Sequence, residues 1–139
     1  MGNTKSTNKL NYEDLNILIK RNDCIIINTM PVDLQSCLIV NTVSVVEEEH
    51  LINESLNNDK QKTIIVYGKN CTDETIYNKY DQLIGLGFTN VNLYMGGMFE
   101  WMLLQDIYGD DQFKTTSREL DILKYKPIST FKTLYLTDN

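Results

Sequence analysis

Apolar positions along the chain fall into two alternating kinds of segment. Residues 24–28, 63–67 and 91–95 are short runs with apolar side chains at successive positions. Such runs are what strands look like when both faces of a parallel sheet are covered. The segments between them carry helical spacing instead. Tyr12, Leu15, Leu18 and Ile19 predict a helix over 12–21. Leu51, Ile52, Ser55 and Leu56 predict one over 45–57, with Glu47, Glu48 and Glu49 outward. Ile76, Tyr80, Leu83 and Ile84 predict one over 73–86, which Gly87 is placed to cap. After Gly96 and Gly97, residues 98–107 form a largely apolar helix, with Phe99, Trp101, Leu103 and Leu104 as core and Glu100, Gln105 and Asp106 at the surface. Residues 37–40 predict a further short strand, and 30–33 a turn.

Strands alternating with helices give βαβ units. The expected fold is therefore α/β: a short parallel sheet with right-handed crossovers and helices on both faces. Ligands of such sheets bind beyond the carboxyl ends of the strands. That points to the loop over 68–72, between the clearest strand and its helix. The domain is expected to span 10–109. Residues 1–9 are polar and aperiodic and read as a flexible arm. Residues 110–139 read as an extension that packs back through Leu120, Ile122, Leu123, Tyr125 and Ile128.

Length agrees with a single domain, since 139 residues leave no room for a second core of ordinary size. A net charge of −6 argues against nucleic acid as a partner. The apolar runs are too short for a membrane-spanning helix, and no secretory segment is evident. Cys24, Cys37 and Cys71 are widely spaced and read as reduced thiols of a cytoplasmic chain. The first residues, Met1-Gly2-Asn3-Thr4-Lys5-Ser6, match the pattern for N-myristoylation at Gly2. Membrane association through Gly2 is thus expected, with Lys5 and Lys9 adding modest positive charge.

The second half of the chain resembles a rhodanese domain. The resemblance rests on the strand 64–67 followed by a short loop, the helix ending Leu83-Ile84-Gly85-Leu86-Gly87-Phe88, and the run from Val91 to Met95 followed by Gly96-Gly97 and Trp101. It covers about 10–107, more weakly before Thr63. It is nearest to divergent single-domain members of the kind met in large DNA viruses and protists. The resemblance implies a sulfurtransferase fold, in which a cysteine directly after the strand that here ends at Tyr67 carries a persulfide. Backbone N–H groups of the loop hold that sulfur as an anion, the physics of a nest at a helix start. It implies no cofactor.

Several positions depart from the family pattern. The nucleophile position is Gly68, and the loop reads Gly68-Lys69-Asn70-Cys71-Thr72-Asp73. Its closing residue is Asp73, where the family tends to have Arg or Thr. Asn28-Thr29-Met30 stands where an Asp-x-Arg motif is usual, and Ser36-Cys37-Leu38 where Gly-His-Ile is usual. These losses imply a degenerate site and a binding or regulatory module with a protein partner.

The alternative reading is a sulfurtransferase that works through a Cys71 persulfide. Cys71 precedes a helix start, which can lower a thiol pKa, and Lys69 and Asn70 could help hold the thiolate. Asp73 and Glu74 oppose it. The bland reading of the same residues is that Thr72 or Asp73 caps the helix. A phosphatase loop would need an Arg six residues after its Cys, and Tyr77, Met30 and Val43 occupy those places. Cys24 and Cys37 read as buried structural thiols. His50 with Glu47 and Glu54 reads as a solvated helix face, and no metal site is expected.

Overall fold

The computed structural model describes residues 7–132. Four strands, β1 (Asn8–Leu10), β2 (Ile25–Asn28), β3 (Ile64–Tyr67) and β4 (Val91–Tyr94), form one sheet in the order β1-β4-β3-β2. Every pairing is parallel. Among the described residues, the longer helices are α1 (Tyr12–Arg21), α2 (Val45–Asn58), α3 (Thr75–Leu86) and α4 (Gly97–Tyr108). The register puts Asn28 opposite Tyr67, Tyr67 opposite Tyr94, and Tyr94 opposite Leu10. The carboxyl ends of all four strands therefore form one row.

Side chains alternate across β3 and divide the core in two. Ile65 and Tyr67 face a cluster with Leu15 of α1 and Met98, Trp101 and Met102 of α4. Ile64 and Val66 face a cluster with Ile52 of α2 and Ile76 and Leu83 of α3. Helices thus cover both faces, as the doubly apolar strands require. Trp101 is fully buried, edge-on to Tyr94 and Phe113 at centroid distances of 6.1 and 5.2 Å. Truncating it to Ala would cost about 3–5 kcal/mol.

Local signals set the helix ends. Asn11 and Asp14 form a capping box at α1, and Ser44 and Glu47 form one at α2. Gly87, at φ 111°, closes α3 in the left-handed region.

The structure corrects several expectations. Asn8 and Lys9, expected in the arm, instead pair with Asn92 and Leu93 as part of β1. An edge strand with exposed side chains carries no apolar pattern to announce it. Residues 37–40 are not a strand. They are a buried irregular segment whose backbone bonds go elsewhere: Ile39 N–H to the Tyr67 hydroxyl at 3.1 Å and Val40 N–H to Lys114 O at 3.0 Å. Ile84 and Leu103 are exposed rather than core. Of the extension's expected anchors, Tyr125 is buried and Ile122 partly so, while Leu120, Leu123 and Ile128 face solvent. The extension's other anchor is Phe113, which packs on Trp101 and was not foreseen.

Candidate functional site

The loop after β3 lies in the row of carboxyl strand ends, where the topology directs attention. It is tied to the start of α4 through its carbonyls. Met98 N–H donates to Gly68 O at 3.0 Å and Phe99 N–H to Lys69 O at 2.9 Å. The approach is close because position 97 has no side chain. A Cβ on Gly97 would lie 2.8 Å from Gly68 O and 2.9 Å from Asn70 N, and its φ of +67° is itself unfavourable for other residues.

Asp73 fills the inside of the loop. Its Oδ2 accepts the Lys69 N–H at 2.8 Å. Its Oδ1 accepts the Thr75 N–H at 3.0 Å and the Thr75 hydroxyl at 2.6 Å. Burial opposes ionisation, but the hydrogen bonds from Thr75 and from the Lys69 backbone outweigh it. They hold the Asp73 carboxyl below the usual value. The carboxylate also reaches the space above Gly68. A Cβ on Gly68 would lie 2.5 Å from Asp73 Oδ2 and 2.9 Å from its Cγ. Any side chain at the family's nucleophile position would meet this carboxylate.

Asn70 is buried and wholly engaged. Its Nδ2 donates to Tyr125 O at 2.9 Å, and its Oδ1 accepts from the Thr72 N–H at 3.0 Å and the Thr72 hydroxyl at 2.8 Å. Sequence reasoning placed Asn70 beside a thiolate; the structure turns its amide to the extension instead. Cys71 is exposed. Thr72 and Asp73 were both candidate caps of the next helix. Neither is the N-cap, which is Glu74 with no side-chain cap bond; Asp73, one residue earlier, accepts the N–H of Thr75, the first residue of α3, while Thr72 bonds to Asn70.

Above the loop lies a cleft of about 580 Å³. Lys69, Thr72 and Glu74 line one side, Thr29 and Pro31 follow from β2, and Lys126 and Ile128 come from the extension. The Thr29 and Thr75 hydroxyls share a hydrogen bond of 2.7 Å across its base. Thr29, Pro31, Lys126 and Ile128 were not foreseen as site residues. Thr29 and Pro31 follow from β2 ending in register with β3; no sequence pattern announces the contribution of the extension.

The remaining candidates stand apart from this cleft. Cys24 is half-buried, with burial raising its thiol pKa, and Cys37 is buried with its thiol toward Ser117 O at 3.3 Å. His50 Nε2 lies 3.8 Å from Glu54 Oε2 on an exposed face, while Glu47 belongs to the Ser44 cap. No group of three metal-ligating side chains occurs among the described residues. Gly2 lies outside the described residues. No helix among those described is long and apolar enough to cross a membrane.

No protein-family profile matches the chain, and no curated protein matches it closely enough to count as a relative. Solved structures do match. The rhodanese-like domain of the Alr3790 protein from Anabaena sp. is 17% identical with a TM-score of 0.58, covering 90% of this chain and 88% of that one. An As-Sb reductase from Leishmania major is 19% identical with a TM-score of 0.56, covering 96% and 100%. A thiosulfate sulfurtransferase from Pseudomonas aeruginosa is 21% identical with a TM-score of 0.54, covering 70% of this chain and 19% of that longer one. What is shared at these identities is the architecture: the fold of this chain is rhodanese-like.

Proposed function

We propose that this chain is a rhodanese-like binding module without sulfurtransferase chemistry, and that the cleft over 68–75 receives a segment of a protein partner. The observation that carries the reading is the Asp73 carboxylate inside the loop. A persulfide anion needs loop N–H groups free to face it. Here the N–H groups of Lys69 and Thr75 already serve a tethered carboxylate. A second anion brought beside Asp73 would meet like charge in a partly buried place. Gly68 supplies no nucleophile, and its missing side chain is the room Asp73 uses.

The alternative is sulfur transfer through Cys71, with Lys69 as the nearby cation. Its support is the exposure of Cys71 at the loop tip, open to a donor, and the thiosulfate sulfurtransferase among the structural neighbours. Intact mass after incubation with thiosulfate or a persulfide donor separates the two readings. We expect no added sulfur, or the same adduct in the protein and in Cys71→Ser. One added sulfur that disappears in Cys71→Ser would establish the alternative.

Myristoylation of Gly2 belongs to the same proposal. Five residues lie between Gly2 and Asn8 in β1, so an acyl chain there would attach within about 20 Å of that sheet edge. One acyl chain gives only reversible membrane attachment. Incubation with an N-myristoyltransferase and labelled acyl donor should label the protein and not Gly2→Ala. Failure to label the parent protein removes the membrane part of the reading.

A further inference from the structure

The chain from Phe113 to Tyr125 crosses the molecule and ends at the loop. Its first part clips the buried 37–40 segment. Thr116 N–H donates to Leu38 O at 2.8 Å, and Leu38 N–H donates to Thr116 Oγ1 at 3.0 Å. Two side chains of α4 hold it next: Trp101 Nε1 donates to Lys114 O at 3.0 Å and Gln105 Nε2 to Phe113 O at 2.7 Å. Its end is a short 3₁₀ turn, Ile122–Tyr125, where Tyr125 O accepts the buried Asn70 Nδ2.

We propose that this stretch is a strap that sets the conformation of the 68–73 loop, so that docking of the strap and occupancy of the cleft are coupled. Asn70 is the joint. One end of its amide holds the strap and the other holds Thr72, while its carbonyl accepts the Asp73 N–H at 3.2 Å. With the strap released, a buried donor loses its acceptor and the loop loses its fixed base. The strap's continuation also lines the cleft through Lys126 and Ile128. A ligand that touches both the loop and this continuation therefore binds the docked state better, and that difference is the coupling.

The strap is built to be released more easily than the sheet. Its buried anchors are Phe113 and Tyr125, while Leu120 and Leu123 face solvent. The Tyr125 hydroxyl is buried with only the Cys37 thiol, a weak partner, beside it among the described residues. A segment with few anchors and a weakly satisfied polar group sits at the low end of local stability.

Amide hydrogen exchange on the full chain tests this with two variants. Asn70→Asp keeps an acceptor for Thr72 but sets an oxygen against Tyr125 O. Exchange at Thr116 and Lys126 should then quicken about tenfold, the worth of one net hydrogen bond, with β3 and β4 unchanged. Tyr125→Phe removes the buried hydroxyl and should slow exchange at Thr72 and Asp73. Strap exchange unchanged in Asn70→Asp would overturn the proposal. So would faster exchange everywhere at once, or loop exchange unmoved in Tyr125→Phe.

Discussion

Two glycine turns meet at the candidate site, and each lacks a side chain for a different reason. Gly97, after β4, is a requirement of the fold. Its φ is +67°, and a Cβ there would strike the backbone of Gly68 and Asn70. Backbone cannot swing aside, so this glycine fixes how closely α4 starts beneath the loop. Gly68, after β3, is a requirement of one neighbour. A Cβ there would strike the Asp73 carboxylate first and the Ile76 side chain second. The scaffold could take a side chain at 68; the present loop filling does not allow it. The contrast separates what holds the rhodanese-like frame from what fills the loop above it.

The largest effect expected from breaking this comparison is at Gly97. Gly97→Ala forces a strained φ and an overlap with backbone, and should cost about 2–4 kcal/mol in denaturant unfolding. Gly68→Ala should cost less, about 1–2 kcal/mol, because one side chain can yield. Here the difference becomes sharper in combination. Asp73→Ser keeps a capping hydroxyl and clears the space, so the double variant should recover most of the Gly68→Ala loss, a coupling of about 1 kcal/mol. The same Asp73→Ser change should recover nothing for Gly97→Ala. Equal rescue of both glycine variants would mean that the two turns do not differ as described.

A smaller effect follows from pH. The Asp73 carboxyl lies below its ordinary 3.8 in the folded chain. Its contribution is therefore fully present above that value and is lost as pH falls through the folded pKa. The stability gap between the protein and Asp73→Asn should be constant from about pH 5 upward and shrink below pH 4. A gap that grows on acidification would reverse the sign and contradict the loop geometry.

Much of the frame was legible in the sequence because its signals are local. Apolar runs at 25–28, 64–67 and 91–94 mark strands covered on both faces, and the glycine at 87 marks a helix end. What escaped depends on long-range contacts. The polar strand Asn8–Leu10 is specified by the edge of β4, not by its own pattern. The segment 37–40 is apolar because it is buried, yet its backbone is satisfied by Tyr67 and by the extension instead of a ladder. The position of the candidate site follows from topology alone, and the unusual residues at Gly68 and Asp73 are visible in the loop sequence. That these two residues form one feature is not visible, because it depends on the carboxylate folding back over position 68. The engagement of Asn70 by Tyr125, 55 residues away, had no sequence signal.

The central claim is that the Asp73 carboxylate engages the Lys69 and Thr75 N–H groups of the loop. An NMR titration reads it directly, following the Asp73 side-chain carboxyl carbon and the Lys69 and Thr75 amides from pH 7 to pH 2. The account predicts that all three move together, with one midpoint below 3.8, and that the amide transitions vanish in Asp73→Asn. Lys69 and Thr75 amides that stay flat while Asp73 titrates at or above 3.8 would contradict it, and would leave the loop open to an external anion.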